Sequence, residues 1–319
     1  MTRGSKIKKA RRQQPTPPSG MRLPRWFLLL AALGIAGLIA AGALLWGSSN
    51  GDETLSGIPT ADPGPVHVHG LGINPADSAL FIATHSGLYR VDKNSRKAKR
   101  VGNRLQDTMG FTIVGPDRFL GSGHPDLTEM REKGLPPLLG LIESGDAGES
   151  WESVSLGGEA DFHVLRFAGE RVYGYDATND RLLASADEGK TWNELERPGP
   201  LVDLAVDPGD PRHIVVAAAS DLAQGLYESR NAGSSWNRIG DTVGLLAWPT
   251  TDQLYIVDDR GQTFVSADAG RQLEPRGSIG GQPAALLAQN PGELYVALHD
   301  GTIKKSADGG VTWVVRSTP

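Results

Sequence analysis

Histidine and aspartate side chains are the residues of this 319-residue chain whose types and spacing favour chemistry. Imidazole and carboxylate groups that meet on one face of a strand can bind zinc or copper. His67 and His69 stand two residues apart, as do Asp161 and His163, and this spacing places both members of a pair on one face. The remaining candidates for a ligand-binding site are His85, His124, Asp176 and His299.

These side chains can meet only if different strands bring them to one end of a channel. His67, His69 and His163 lie at the starts of predicted innermost strands, whereas His85 and His299 follow predicted second strands. Adjacent antiparallel strands place the start of one beside the end of the next, so the set is expected at one mouth of the channel. Three hypotheses remain open there: a zinc or copper site on His67, His69 and His163, an organic ligand, or polar residues that line a water-filled channel.

The elements that position these residues are indicated by an eight-residue repeat. Its clearest copy reads Ser-Ala-Asp-Glu-Gly-Lys-Thr-Trp at 185–192, and further copies begin at 144, 229, 266 and 306, so the intervals are 41, 44, 37 and 40 residues. A period near 40 with strand-like flanks is typical of propeller blades. The third position holds Asp146, Asp187, Asn231, Asp268 and Asp308.

The repeat has a physical basis, since Asp or Asn can bind nearby backbone amides while Gly at the fifth position supplies a positive φ. The pattern S-x-D-x-G-x-T-W resembles the Asp-box, or BNR repeat, of sialidases, sortilin-type receptors, some glycoside hydrolases and photosystem II assembly factors. This resemblance implies an all-β propeller in which the box is a structural hairpin away from the ligand site. It implies no particular activity.

Strand patterns predict six blades, with a seventh, degenerate blade near the N-terminus as the alternative. The first repeat shows strand signals at 67–73, 80–84 and 87–91 and a charged outer strand near 96–101. Five comparable strand openings follow, at 108–114, 161–167, 201–206, 244–248 and 284–288.

An insertion of residues 123–138 interrupts the second repeat between its second and third strands. A long loop on a rigid scaffold is a common place for binding. The alternative is a solvated decoration without a function.

The N-terminal region predicts a membrane tether. Residues 1–25 are basic and should be disordered, 26–46 carry no charge over about 31 Å of helix, and 47–65 have the composition of a flexible linker before the propeller at 66–319. The basic flank places the N-terminus in the cytoplasm and the propeller outside. The alternative for 26–46 is a cleaved signal peptide, although the apolar run is longer than is usual for one.

Composition excludes several classes of protein. The chain has no Cys, which excludes disulfides and lipoprotein attachment, and beyond residue 25 only 24 basic residues stand against 37 acidic ones. This acidic balance argues against nucleic acid or an anionic lipid surface as a partner of the propeller.

These observations favour an extracytoplasmic binding or assembly module for a protein, peptide or metal ligand over an enzyme. A glycoside hydrolase, sialidase-like or another exo-glycosidase, is the alternative. The chain lacks the Arg-Ile-Pro motif that the resemblance to sialidases would imply, and its tyrosines occur in apolar strand contexts typical of a core. Catalytic residues are therefore left unassigned.

Overall fold

The computed structural model describes residues 64–220 and 222–319. No helix within these ranges has the length and apolar character needed to cross a bilayer. The predicted basic tail at 1–25, the predicted anchor at 26–46 and all but the last two residues of the predicted linker lie outside the described residues.

The described residues form six four-stranded antiparallel sheets, each a meander of four consecutive strands. Blades 1 to 3 contain β1 Val68–Ile73, β2 Leu80–Thr84, β3 Gly87–Val91, β4 Lys99–Arg100, β5 Asp107–Gly115, β6 Arg118–His124, β7 Leu141–Ser144, β8 Glu152–Ser155, β9 Phe162–Ala168, β10 Arg171–Asp176, β11 Arg181–Ser185 and β12 Asn193–Leu195. Blades 4 to 6 contain β13 Leu201–Asp207, β14 Asp210–Ala218, β15 Gly225–Ser229, β16 Asn237–Gly240, β17 Gly244–Thr250, β18 Gln253–Asp258, β19 Gln262–Ser266, β20 Glu274–Ser278, β21 Pro283–Asn290, β22 Glu293–Leu298, β23 Ile303–Ser306 and β24 Val314–Ser317.

The six-bladed propeller predicted from the sequence is thus confirmed, and 64–220 with 222–319 contain no seventh sheet. The first strand of each blade contacts the first strand of the next around the ring, including β21 with β1. These six strands line the central channel. They approach so closely that a Cβ on Gly110 in β5 would lie 2.5 Å from the carbonyl oxygen of Phe162 in β9.

The hydrophobic core is divided into six clusters, one between each pair of adjacent blades. Between blades 1 and 2, the ring of Phe119 packs at centroid distances of 4.7 Å from Phe81 and 5.6 Å from Phe111. Tyr89 and Tyr173 are almost fully buried, which confirms their prediction as core residues. Burial between blades, rather than within one, therefore stabilises the ring.

The eight-residue repeats fold as hairpins between the third and fourth strands of blades 2 to 6, here called box hairpins. In blade 3, Ser185 Oγ donates to Asp187 Oδ1 over 2.7 Å and accepts from the Gly189 amide over 2.7 Å. Thr191 donates its amide to Asp187 Oδ1 and its hydroxyl to Oδ2, over 2.9 and 2.7 Å. The predicted hairpin is confirmed down to its hydrogen bonds.

The incomplete copy at 266–270 keeps the same turn. Asp268 Oδ1 accepts from Ser266 Oγ over 2.8 Å and from the Gln272 amide over 2.8 Å, so Gln at the Thr position leaves this part of the network intact. The fourth residue of every copy also has a positive φ, from 58° to 69°, which the sequence pattern did not predict. These residues are Ala147, Glu188, Ala232, Ala269 and Gly309.

Box hairpins join each blade to the one before it. A Cβ on Gly189, in the box of blade 3, would lie 2.1 Å from Leu141 Cδ2 in blade 2. Trp192, in the same box, donates its indole N–H to Ser155 Oγ of blade 2 over 2.9 Å. The fifth position therefore requires Gly for its contact with the neighbouring blade as well as for its φ of 88°.

Blade 1 carries no box, and blade 6 supplies the missing contact. Arg316, in β24, donates to the carbonyl oxygens of Asp92 and Ser95 in the loop that takes the place of the box, over 2.9 Å to Asp92. Ser317 Oγ donates to the carbonyl oxygen of Arg96 over 3.0 Å. The ring is closed by these contacts and by the apolar cluster between blades 6 and 1.

The predicted insertion is also confirmed, and it contains a short helix, α1 Leu127–Lys133. Asp126 caps this helix by accepting from the Thr128 amide over 2.7 Å, and Gly134 ends it with a φ of 64°. The second oxygen of Asp126 accepts from the Leu105 amide over 2.8 Å, which ties the insertion to the segment before β5.

Box aspartates make the stability of the propeller pH-dependent. Hydrogen bonds from Thr191 and Ser185 lower the pKa of Asp187 to about 2, and those from Thr312 and Ser306 lower the pKa of Asp308 to about 2. Because these values lie below the pKa of an unfolded Asp, about 3.9, the stabilisation is complete above that pH and is lost as pH falls towards about 2. The double variant Asp187→Asn, Asp308→Asn should therefore be less stable than the wild type at neutral pH, with a difference that shrinks between pH 4 and 2.

Urea denaturation across this pH range measures the effect. Asn231 shows that Asn fits the turn, since its Oδ1 accepts from the Ser235 amide over 3.0 Å and its Nδ2 donates to Ser235 Oγ over 2.9 Å. A stability difference that stayed constant with pH would contradict the assignment.

Candidate functional site

Blades 1 to 3 bring a set of imidazole and carboxylate groups together at one end of the channel, here called the histidine mouth. Its members come from the starts of β1, β5 and β9, the turn after β2 and the end of β6. They are His67, His69, His85, Asp107, His124, Asp161 and His163.

A β-bulge at the start of each of the three innermost strands positions these side chains. The pairing with the second strand skips one residue in each: His69 in β1, Met109 in β5 and His163 in β9. Such a bulge leaves its extra residue outside the ladder and re-aims the side chain. Two residues before each bulge stand His67, Asp107 and Asp161, so neighbouring blades place equivalent positions side by side.

The prediction that His67 and His69 share a face by simple strand alternation therefore needs correction. His67 lies before β1 with a left-handed φ of 53°, and His69 is the bulged residue, so neither follows regular alternation. The two side chains still meet at the mouth, because the rings of His67 and His69 lie 5.6 and 4.4 Å from the ring of His85.

The first half of the mouth consists of His69, His85 and Asp107. Asp107 Oδ2 lies 2.8 Å from His85 Nδ1, and Asp107 Oδ1 lies 3.9 Å from His69 Nε2. One nitrogen of each histidine and one oxygen of the aspartate all lie within 4.8 Å of one another, the only such group with metal-ligand spacing among the described residues. This group shares only His69 with the metal set of His67, His69 and His163 predicted from the sequence, and that set stays a prediction.

The second half consists of His124, Asp161 and His163. Asp161 Oδ2 lies 3.0 Å from His163 Nε2 and 3.5 Å from His124 Nε2. His124 Nδ1 lies 2.9 Å from the carbonyl oxygen of Pro137, so this histidine connects the mouth to the inserted segment. Sequence analysis predicted all three residues as members of the site.

Three buried polar atoms of the mouth have no hydrogen-bond partner: His69 Nε2, Asp107 Oδ1 and Asp161 Oδ1. Each such atom loses its interaction with water and costs about 1–3 kcal/mol if nothing replaces it. Most buried polar atoms in folded proteins are paired. Two of these atoms, His69 Nε2 and Asp107 Oδ1, lie 3.9 Å apart, and unpaired buried atoms that are close together are typical of a ligand site.

The protonation of the mouth is set by the same geometry. Burial, together with the neighbouring His85, His163 and His67, holds the pKa of His69 well below its usual range. The hydrogen bond with Asp107 raises the pKa of His85, although burial opposes it. Burial also opposes ionisation of Asp161, but the hydrogen bond and charge of His163 outweigh it and keep its pKa below the usual range.

Two predicted site residues do not join the cluster. Asp176 is fully buried, with Oδ2 accepting from Arg181 over 2.7 Å and from Asn179 over 2.8 Å and Oδ1 accepting from the Asp161 amide over 3.2 Å. Both of its carboxylate oxygens accept hydrogen bonds, one of them from the Asp161 amide, so Asp176 has a structural role that supports Asp161. His299 is exposed after β22 in blade 6 and is not among the contacts that hold the cluster together.

Asp107 is the residue that sequence reasoning missed. It stands alone in the sequence, without a neighbouring histidine. Alignment of the repeats by their bulges would have found it, because Asp107-Thr-Met-Gly occupies the same place in β5 as Asp161-Phe-His-Val does in β9.

Beside the mouth, the inserted segment covers a cavity of about 120 Å³. Arg104, whose Nε lies 2.9 Å from Glu129 Oε1, forms part of the lining with Trp151.

Another buried carboxylate, Asp203, also lies near the start of an innermost strand. Burial raises its pKa, while the charge of Arg166 opposes the rise. Arg166 and the amides of Leu204 and Leu246 donate to its two oxygens over 2.6 to 2.9 Å. It joins blades 3, 4 and 5, and no oxygen is left free for general acid or base chemistry.

Comparison with known proteins supports the fold. The family model Sortilin-Vps10, described as sortilin and neurotensin receptor 3, matches residues 140–272, which contain four of the five boxes. Xyloglucanase Xgh74A of Acetivibrio thermocellus is 25% identical to the matched part, which covers 56% of this chain and 29% of the relative. The chain therefore spans less than a third of the length of this curated relative.

Solved structures also support the propeller fold. The nidogen/laminin complex contains a chain that superposes with a TM-score of 0.59 at 14% identity, over 76% of this chain and 93% of the other. YCF48 bound to D1 peptide superposes with a TM-score of 0.50 at 14% identity, over 79% of this chain and 83% of the other. At these identities the similarity shows a shared propeller fold.

The His85–Asp107 pair gives a prediction for ring titrations. In the presence of a chelator, NMR of the histidine rings should show His85 titrating above its ordinary pKa of about 6.5 and His69 far below it. Replacement Asp107→Asn should lower the pKa of His85, because the carboxylate that stabilises its charged form is lost.

The matched control is Asp241→Asn, which removes an exposed carboxylate from the loop after β16. This control should leave the pKa values of both histidines, His69 and His85, as they are in the wild type. A His85 pKa that was the same in the wild type and in Asp107→Asn would contradict the assigned pair.

Proposed function

We propose that this protein is a membrane-tethered, extracytoplasmic binding module that holds a partner protein or peptide at its histidine mouth. The observation that carries the proposal is the convergence of unpaired buried atoms of His69, Asp107 and Asp161 on one end of a rigid propeller. An arrangement that leaves polar atoms unsatisfied is costly, so it favours a surface whose partners come from a ligand.

The inserted segment extends this surface. Leu105 and Leu127 are about half exposed, at 51% and 49%, and the hydrogen bond from the Leu105 amide to Asp126 holds the two chain segments together. His124, at the base of the insertion, links them to the mouth through Asp161. Exposed apolar side chains with polar groups around them match the apolar core and polar rim of a protein-binding face.

Propellers with the same fold support a protein or peptide as the ligand. YCF48 was solved bound to D1 peptide, and the nidogen structure is a complex with laminin. The matching family model describes a receptor. Rigid propellers are thus used repeatedly to present a binding face, and a fold alone does not specify an activity.

The location of the protein belongs to the same proposal. The uncharged segment 26–46 would anchor the chain, and the basic residues before it would stay in the cytoplasm. Residues 47–65 would then act as a flexible tether, which lets the propeller face its partner from the outer side of the membrane.

Site-specific photo-crosslinking in the full-length protein, in its native membrane, tests the binding function. A photoreactive residue at Leu127 should give one discrete adduct, whereas the same residue at Val314, 65% exposed on the outermost strand of blade 6, should give none. His163→Gln should reduce adduct formation from Leu127 about tenfold, the effect of about 1.4 kcal/mol at the centre of an interface.

Equal labelling from both positions would contradict a specific face. A Leu127 adduct that was unaffected by His163→Gln would place the partner on the insertion alone and would contradict the role of the mouth.

A second candidate function, glycoside hydrolysis, is supported by the similarity to xyloglucanase Xgh74A. Such chemistry requires two carboxylates at a defined separation, one of them free to move a proton. Asp161 is paired with His163, while Asp176 and Asp203 are bound by Arg181 and Arg166. These ion pairs favour the binding module.

An assay of reducing-end release from xyloglucan by the full-length protein separates the two functions. We expect no turnover above that of the denatured protein. Turnover that was abolished by Asp107→Asn or Asp161→Asn, with the fold intact by circular dichroism, would establish the hydrolase instead.

A further inference from the structure

We infer that His69, His85 and Asp107 form a binding site for one transition-metal ion of the zinc and copper class. The inference deepens the binding function proposed above. It rests on that function in one respect, because both treat the histidine mouth as a ligand site. It assigns the ligand atoms to a different set of residues from the one that the sequence indicated.

The first argument concerns the pair of unpartnered atoms. His69 Nε2 and Asp107 Oδ1 are both buried, have no hydrogen-bond partner and lie 3.9 Å apart. This separation is too long for a direct hydrogen bond. Both atoms carry lone pairs that can face a common positive centre when His69 is neutral.

The gap between the two atoms is of a size that a metal ion can fill. An ion about 2.1 Å from both atoms subtends about 135°, and an approach of the two ligands by about 0.5 Å gives the tetrahedral angle.

His85 supplies the third ligand. It comes from the turn after β2, while His69 comes from the bulge of β1 and Asp107 from the first residue of β5. The rings of His69 and His85 are nearly perpendicular, at 83°, with their centroids 4.4 Å apart. Three ligands from three separate elements of two packed blades would leave further coordination positions open to water or to a partner.

The chemistry of the ligands selects the class of ion. Two imidazoles with one carboxylate suit zinc and copper, whereas magnesium and calcium prefer sites built from oxygen ligands. Met109 stands at the bulge of β5, the position that His69 and His163 occupy in the blades on either side. A thioether at this position is a soft ligand and would favour copper over zinc if it entered the coordination sphere.

Competition titration against a chromophoric chelator tests the site. The full-length protein, purified with a tag that contains no histidine, is first stripped with a chelator and then titrated with Zn²⁺ and, separately, with Cu²⁺. We expect one equivalent to bind, and we expect His69→Gln and His85→Gln each to weaken binding by on the order of 100-fold or more, since each removes a direct ligand.

Asp107→Asn and His299→Ala are the informative comparisons. Asp107→Asn keeps the shape of the side chain but removes the charge, and it should weaken binding by a similar factor. His299→Ala removes an exposed histidine of blade 6 that does not contact the cluster, and it should bind as the wild type does. Circular dichroism and thermal unfolding of the stripped proteins confirm that each variant is folded.

Several outcomes would overturn the inference. One is a wild type that takes up no stoichiometric ion at micromolar concentration. Another is a His69→Gln variant that binds the metal ion with the affinity of the wild type. A third is loss of binding on His67→Asn and His163→Gln with no effect of His85→Gln, which would support the ligand set predicted from the sequence instead.

Copper gives a second, spectroscopic readout. Nitrogen hyperfine structure in the Cu²⁺ electron paramagnetic resonance spectrum should be present in the wild type and altered in His69→Gln. Failure of the metal site is distinguishable from failure of the binding function: a Leu127 adduct that forms in stripped protein without any metal uptake overturns the metal inference alone.

Discussion

The box hairpin is the interaction on which the rest of the structure depends. A single serine hydroxyl and a single Asp or Asn side chain fold each hairpin, as Ser185 and Asp187 do in blade 3. The turn then presents a glycine so close to the preceding blade that no side chain fits, as at Gly189 against Leu141. A local hydrogen-bond network thus fixes a non-local contact, and five repetitions of it set the angle between successive blades. The six apolar clusters form between blades held in this way, which explains why a chain without disulfides can form a stable ring.

The histidine mouth is a consequence of the same regularity together with one departure from it. Every blade delivers the start of its first strand to the same end of the channel, and blades 1 to 3 place there the imidazole and carboxylate groups that contact one another. The bulges then give His69, Met109 and His163 equivalent positions in neighbouring strands. Because the carboxylates of Asp107 and Asp161 each face two imidazoles, the mouth has more nitrogen ligands than acidic partners. The rigid ring prevents these groups from relaxing apart, so their unsatisfied atoms persist in the folded protein.

The fold was predictable from the sequence because the box is a local signal with a local cause. The spacing of the repeats predicted a propeller, and the strand openings predicted six blades. The strand patterns gave the first blade almost to the residue, with β2 and β3 at Leu80–Thr84 and Gly87–Val91. The site was predictable only in part. Histidine positions indicated that these residues meet at one mouth, but alternation cannot represent a bulge, so it did not indicate which imidazole each carboxylate contacts. Asp107 was missed and Asp176 was included, because only the three-dimensional structure shows which carboxylate is already bound by an arginine.

The closure of the ring has a consequence for how the molecule is made. Within the described residues, each blade comes from one stretch of chain, and no strand is exchanged between the first and the last. Arg316 and Ser317, which hold blade 6 to blade 1, are synthesised after blades 1 to 5. Until then the growing chain is an open arc with two apolar half-interfaces exposed, one on each terminal blade. The chain therefore passes through a stage that is vulnerable to aggregation, and this stage ends when the strand that carries Arg316 and Ser317 docks against blade 1.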